Sequence, residues 1–171
     1  MTDWKSIVRQ HGGIVWATAC RLLGNTADAS DCFQETFLEA VKVSRREAVR
    51  DWPALLRHLA AARALDLLRA RCRQRGRTDA LADPDGVLGR EADPGQEAEA
   101  GELAERLRAA LGQVPPQQAE VFWLICVEKL SYREVGARLN LTTNLVGVLL
   151  HRARGRLREL LATADTATND D

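Results

Sequence analysis

Apolar residues recur every three or four positions through most of the chain, and no run alternates apolar with polar between turn residues as a hairpin strand does. Ala, Leu, Arg and Glu dominate, all good helix formers, so the pattern predicts an all-α protein. The first helix runs from an Asp3 N-cap to Leu23, with Gly24 as its stop and Gly12-Gly13 as a weak spot inside it. A second begins after Asn25-Thr26 and ends near Ser44, with Ala29, Phe33, Phe37, Ala40 and Ser44 as one core stripe. A third opens on Asp51 and Pro53, continues through Leu55, Leu56, Leu59, Leu65 and Leu68, and leaves through Arg69, Arg71, Arg73, Arg75 and Arg77.

Beyond residue 102, Leu103, Leu107 and Leu111 form a helix that ends before Val114-Pro115-Pro116, and a further helix buries Val121, Phe122, Leu124 and Ile125. Ser131-Tyr132-Arg133-Glu134 has the Ser-x-x-Glu form of a capping box and opens a short helix to about Leu139. Asn140 to Thr143 makes a tight turn, and Thr142 or Thr143 caps a last helix to about Leu161. This is helix-turn-helix spacing, with Val135, Leu139, Leu141 and Val146 buried and Gly136 small where the two helices touch. A plain helical hairpin in a bundle has the same spacing. His151-Arg152-Ala153-Arg154-Gly155-Arg156-Leu157-Arg158 favours the nucleic-acid reading, because four arginines follow the second helix.

Charge divides the chain further. The net charge is zero, yet residues 1–77 hold 14 basic and 8 acidic residues, residues 78–102 hold one basic and eight acidic, and residues 103–161 hold nine basic and five acidic. Two basic blocks therefore flank an acidic, Pro- and Gly-containing bridge without a sustained apolar period, which reads as a flexible linker. The bridge is either a solubilising spacer or an anionic stand-in for nucleic acid that competes for the basic blocks. The expected layout is two small helical domains, 1–77 (an N-terminal helical bundle) and 103–161 (a helix-turn-helix bundle), with linker 78–102 and an acidic tail 162–171. Of the five arginines at the end of the third helix, the helix dipole accounts for two, and the other three suit phosphate contact.

The 171 residues, 46% apolar, suffice for one ordinary domain or two small helical ones and exclude a large multidomain enzyme. No stretch approaches 18 consecutive apolar residues and the N-terminus lacks a secretion-signal layout, so membrane insertion is not expected and a cytoplasmic location is. Cys20, Cys32, Cys72 and Cys126 include no Cys-x-x-Cys pair and the three histidines complete no zinc site, so no metal or other cofactor is expected. The cysteines read as free thiols filling small apolar gaps, with redox sensing as the remote alternative. No nucleophile with a positioned base and no phosphate-cradling glycine loop is present, so no catalytic residue is assigned.

Ala29-Ser30-Asp31-Cys32-Phe33-Gln34-Glu35-Thr36-Phe37 resembles the helix by which sigma factors of the sigma-70 family grip the clamp helices of RNA polymerase. Leu59-Ala60 through Ala64-Leu65-Asp66-Leu67-Leu68-Arg69 resembles the promoter-melting helix, and Val114 through Val135 with Leu150 to Arg154 is similar to that family's C-terminal helix-turn-helix domain. The two-domain layout matches the extracytoplasmic-function group. The resemblance implies a factor that binds core RNA polymerase and directs it to promoter DNA, and an anti-sigma factor or other regulatory protein as a further partner. It places polymerase contact on Asp31, Gln34 and Glu35, which sit at i, i+3 and i+4 opposite the Phe33 and Phe37 stripe. Like charges four apart disfavour an isolated helix by a few tenths of a kcal/mol, roughly, so an external basic surface suits them.

In the third helix the resemblance implies capture of the unpaired non-template strand, with Arg57, His58, Arg63 and Arg69 as polar candidates joined by Arg71 and Arg73 at the basic exit. The chain departs from the family here: Ala61-Ala62 stands where Arg-Asn is usual, and Leu55 aligns with a usual tryptophan, although Trp52 lies one turn earlier. In the last helix Gly147-Val148-Leu149 replaces the usual polar residues. Thr142, Thr143, Asn144 and His151 remain to bond base edges, Val148 to touch thymine methyls, and Arg152, Arg154, Arg156 and Arg158 to anchor phosphates. Without an arginine placed for the guanine contact worth about 1–3 kcal/mol, direct readout is weak. The apolar run Leu145 to Leu150 raises the alternative of a sigma-like protein-interaction module; a dimeric helix-turn-helix repressor is the second rival.

Overall fold

The computed structural model describes residues 2–78 and 96–168. Among the described residues there are seven helices and no strand: α1 (Trp4–Leu23), α2 (Thr26–Arg46), α3 (Trp52–Thr78), α4 (Gln96–Leu111), α5 (Pro116–Cys126), α6 (Tyr132–Leu139) and α7 (Thr143–Thr168). The caps follow local chemistry. Asp3 accepts from the Ser6 backbone N–H at 3.2 Å, Asn25 from Asp28 at 2.8 Å, and Asp51 from Ala54 at 2.9 Å. Gly24 closes α1 at φ 71°, a left-handed conformation open to a residue without Cβ.

Several boundaries differ from expectation. α1 runs through Gly12-Gly13 without a break. α4 starts at Gln96, seven residues before Leu103, because glutamate and alanine favour a helix and negative charge early in it suits the dipole. α7 continues past Leu161 to Thr168. The central part of the acidic bridge, 79–95, lies outside the described residues.

α1, α2 and α3 enclose a small cluster of Ile7, Val15, Phe37, Ala40, Leu56 and Ala60, flanked by Trp4, Phe33, Trp52 and Leu59. The larger cluster does not stop at the domain boundary. It runs from Ala19, Leu22 and Leu23 of α1 through Ala61, Ala64, Leu65 and Leu68 of α3 to Leu111, Val114, Val121 and Leu124, then on to Val135, Val146 and Leu150. The two domains, expected to have only a linker between them, thus share one core, with α3 packed against α4 and α5. Two arginines bind the end of the same helix: Arg71 of α3 donates to the Leu23 carbonyl at 2.8 Å, and Arg108 of α4 donates to the Arg21 carbonyl at 3.1 Å. Both satisfy carbonyls left open at the α1 C-terminus, where positive charge is favourable.

In the C-terminal domain the capping box forms in full, with Ser131 N–H donating to Glu134 at 2.7 Å and Glu134 N–H to Ser131 Oγ at 3.2 Å. Asn140 ends α6 in the left-handed region at φ 56°, and the Leu141 N–H returns to the Gly136 carbonyl at 2.8 Å. A Cβ on Gly136 would stand 2.7 Å from the Leu141 carbonyl oxygen, closer than atoms approach, so the turn requires glycine there.

Gly136→Ala is therefore expected to destabilise the chain by about 1–3 kcal/mol, the usual cost of an overpacked site, measured as a lower urea midpoint. Asp28 gives a pH-dependent test. Hydrogen bonding from Arg71 holds its carboxyl below the ordinary value of 3.8. A carboxyl depressed in the folded state contributes stability above its unfolded pKa, and loses it as pH falls through the folded one. Asp28→Asn should therefore melt below wild type at neutral pH, and the gap should close once pH drops beneath the ordinary carboxylate range. A gap constant with pH would rule out the Arg71 pair as its source.

Candidate nucleic-acid interface

The exposed side of the helix-turn-helix is a shallow concave face lined by Tyr132 of α6 and by Thr143, Asn144, Gly147, Val148, His151 and Arg152 of α7. Asn144, Val148 and His151 fall at i, i+4 and i+7, so helical geometry brings them to one side. All three are exposed, as is Thr143. Thr142 has a different job: its Oγ accepts from the Leu145 N–H at 3.2 Å and caps the helix. Tyr132, 43% exposed, joins the face from the preceding helix and was not foreseen, since its sequence context marks it only as part of the capping box. The run Leu145 to Leu150 is not a free apolar surface. Val146, Leu149 and Leu150 are buried in the core, leaving Leu145 and Val148 exposed as the helical period dictates.

Arg152 borders this face and Arg154 lies further along α7, exposed, with its guanidinium 3.5 Å from Cys126 Sγ. Arg156 pairs with Glu159 at 3.2 Å, and Arg158 donates to the Arg154 carbonyl at 3.3 Å.

The polar candidates of α3 do not share one outward face. Arg57 pairs with Glu128 at 3.4 Å, and His58 Nδ1 lies 2.9 Å from Glu120, both acids belonging to the C-terminal domain. Arg63 pairs with Glu35 of α2. Arg69 pairs with Asp66 one turn back at 2.6 Å. Arg71 faces inward, holding Asp28 as well as the Leu23 carbonyl. Arg73 alone of the six projects into solvent as exposed residue. Glu128 is the polar centre of the domain contact. With its side chain 6% exposed, it accepts from Thr18 Oγ at 2.8 Å and Trp123 Nε1 at 3.2 Å besides facing Arg57. Sequence reasoning missed Thr18, Glu120, Trp123 and Glu128. The available signal was one acid, Glu120, on a short helix that is otherwise apolar or uncharged, and a second, Glu128, in the turn that follows it.

Asp31, Gln34 and Glu35 are exposed along α2. Leu38, 62% exposed, extends the same row and lines a groove between α2 and α3 with Glu35, Glu39, Leu59, Ala62 and Arg63. The row thus mixes carboxylates with an uncovered leucine, suited to a partner with basic and apolar character. Cys32, behind the row, is buried; desolvation pushes its thiol up to about 11, which removes the thiolate on which reactivity depends. Among the described residues no group of acids, histidines and cysteines is placed to hold a metal, and no helix is long and apolar enough to cross a membrane.

Residues 7–74 match the sigma-70 region 2 family and residues 104–157 the sigma-70 region 4 family. The chain is 34% identical over 169 residues to the ECF RNA polymerase sigma factor SigE of Mycolicibacterium smegmatis, covering 98% of this chain and 65% of that protein, so it spans just under two thirds of that relative's length. It is 30% identical over 166 residues to the RNA polymerase sigma factor CarQ of Myxococcus xanthus, covering 92% of this chain and 88% of that one. Its fold is like that of the sigma factor RpoE of Bartonella quintana, solved with the anti-sigma factor NepR, at a TM-score of 0.57 and 21% identity over 95% of this chain and 98% of that one. Two sigma-70 regions in the right order, together with a relative aligned over most of both chains, establish that the protein belongs to the sigma-70 family of RNA polymerase sigma factors.

Proposed function

We propose that the chain binds core RNA polymerase through the exposed row Asp31, Gln34 and Glu35 and directs it to promoters. Residues 1–77 act as the polymerase- and minus-ten-binding domain and residues 103–161 as the second DNA-reading domain, with 78–102 and 162–171 as linker and tail. The observation that carries this reading is the uncovered carboxylate row on α2, with Leu38 in line, on a chain whose α7 separately presents Asn144, Val148 and His151 around a concave face. Asn144 bonds base edges, Val148 touches thymine methyls, and Arg152 and Arg154 hold phosphates. Thr142 and Thr143 add hydroxyls at the helix start, where backbone N–H groups also favour phosphate.

The protein has no reaction to catalyse. Strand opening draws on binding energy, as Arg57, His58, Arg63 and Arg69 hold the backbone of unpaired bases while Arg71 and Arg73 contribute positive potential at the helix exit. A cytoplasmic location follows from that task. The neighbouring RpoE was solved with an anti-sigma factor, which supports a protein of that kind as a further partner here.

Reconstitution with core RNA polymerase and run-off transcription across a promoter library is expected to yield discrete initiation sites; binding without any transcript would overturn the reading. Because Glu35 is tied to Arg63, Asp31→Arg is the cleaner single probe of docking. It is expected to weaken capture of core polymerase at least about tenfold, the loss of one close charge contact, with helicity unchanged by circular dichroism. Capture at wild-type strength would remove Asp31 from the docking surface.

A further inference from the structure

We infer that Tyr132, Gly147 and Val148 form a notch for the C5-methyl group of thymine, so that the duplex element read by the C-terminal domain is picked out by its methyl pattern. The inference rests on the proposed function for α7 meeting DNA, and it names the base group selected there.

Gly147 has no structural reason to be glycine. It lies in the second turn of α7 without a positive φ, and a Cβ built on it meets nothing closer than Tyr132 Cε2 at 3.5 Å, an ordinary contact. Gly24 and Gly136 differ, the first through its left-handed backbone and the second through the nearby Leu141 carbonyl. Inside a helix glycine is a poor former, and so is a β-branched residue such as Val148, which is 37% exposed and contributes little to the core. The pair weakens the helix locally; what it provides is surface shape.

Without a side chain at position 147 the Tyr132 ring rests against α7, and Val148 projects beside it, so the three residues make an apolar floor. That floor is held in place. Val146, Leu149 and Leu150 anchor this part of α7 in the core, Thr142 caps the helix, and the capping box sets the turn that carries Tyr132. Thr143 and Asn144 stand at one end of the floor and His151 and Arg152 at the other, around a shallow concavity of about 410 Å³.

An apolar floor inside a polar rim suits one feature of a duplex. In the major groove each base pair presents hydrogen-bonding groups, and thymine alone of the four bases adds a methyl. Neither Gly147 nor Val148 carries a side-chain donor for guanine, so this part of the face discriminates by the methyl. Asn144, one turn away, has the amide that pairs with the N6/N7 edge of adenine. Four residues of helix advance about 6 Å, which puts that adenine about two base pairs from the methyl.

The full-length chain, tagged and mixed with core RNA polymerase, tests this by selecting duplexes from a randomised pool. In the selected element each thymine is replaced in turn by deoxyuridine, which keeps every hydrogen bond and removes one methyl. At the position that enters the notch, binding is expected to weaken about fourfold, the loss of one buried methyl. With cytosine placed at that position, 5-methylcytosine should be bound about fourfold more tightly than cytosine itself, since its methyl stands in the same place. Gly147→Leu fills the notch with a better helix former, so the variant should melt no lower than wild type while its preference for thymine over deoxyuridine vanishes. Val148→Ala, at an exposed position, should reduce the same preference. The notch is refuted if deoxyuridine is bound as tightly as thymine at every position, if 5-methylcytosine gives no gain, or if either variant keeps the wild-type preference. Run-off transcription separates the two ideas: normal initiation from an element indifferent to deoxyuridine leaves the function standing, and methyl-dependent binding without a transcript on any template removes the function alone.

Discussion

α3 has to fill two cores at once, and most of the architecture follows from that demand. Leu56 and Ala60 close the N-terminal bundle, while Ala61, Leu65 and Leu68 enter the cluster that continues into α4 and α5. A helix apolar on so much of its circumference is stable only when surrounded, and three helices of this length supply cover for one side. The second domain supplies the other. The remaining surface of α3 is narrow, so its arginines are divided among neighbouring acids: Arg57 toward Glu128 just past α5, Arg63 toward Glu35 of α2, Arg71 toward Asp28 in the first turn of α2. Ala61 takes on meaning in this setting. The family resemblance leads one to expect a long polar side chain there, and a fully buried helix contact leaves room for a methyl group.

What the sequence discloses depends on the range of the interaction that decides it. The caps Asp3, Asn25, Asp51 and Ser131 use partners within three residues, so their chemistry is visible locally, and the same holds for the Asn140 turn and the small Gly136. The exposed face of α7 is equally legible, because period alone sends Asn144, Val148 and His151 outward once Val146 and Leu150 are known to face inward. Local rules fail where a distant group intervenes. Phe122 was expected in the core, yet Trp123 is the buried ring at 4% exposure and Phe122 is half-buried, because the indole N–H finds Glu128 and Thr18 shares that carboxylate from another domain. The fate of Arg57, Arg63 and Arg71 is likewise set by acids between 28 and 71 residues away, which no window along the chain contains.

The electrostatic division has the same origin. Neutral overall composition conceals two basic blocks, and the acidic bridge is the obvious candidate to balance them. Among the described residues the balancing is done elsewhere, by Asp28, Glu35, Glu120 and Glu128. These contacts differ in energetic weight. The Glu35–Arg63 pair is 46% and 37% exposed, and such pairs contribute at most about 1 kcal/mol after screening. Glu128 is nearly dry, and removing a buried charge from water offsets much of the attraction to Arg57. Its value lies in register: Thr18, Trp123 and Arg57 converge on one carboxylate, so the C-terminal domain has one seat on α3.

That separates what holds the domain contact from what aligns it. Uncovering a leucine such as Leu65 or Leu68 costs about 1.5–3 kcal/mol when exposure is complete, so the buried apolar residues of α3 set the strength of the contact and the acids adjust it by smaller amounts. Any separation of the two domains would expose these residues together, so their burial and the Glu128 register act on the same contact.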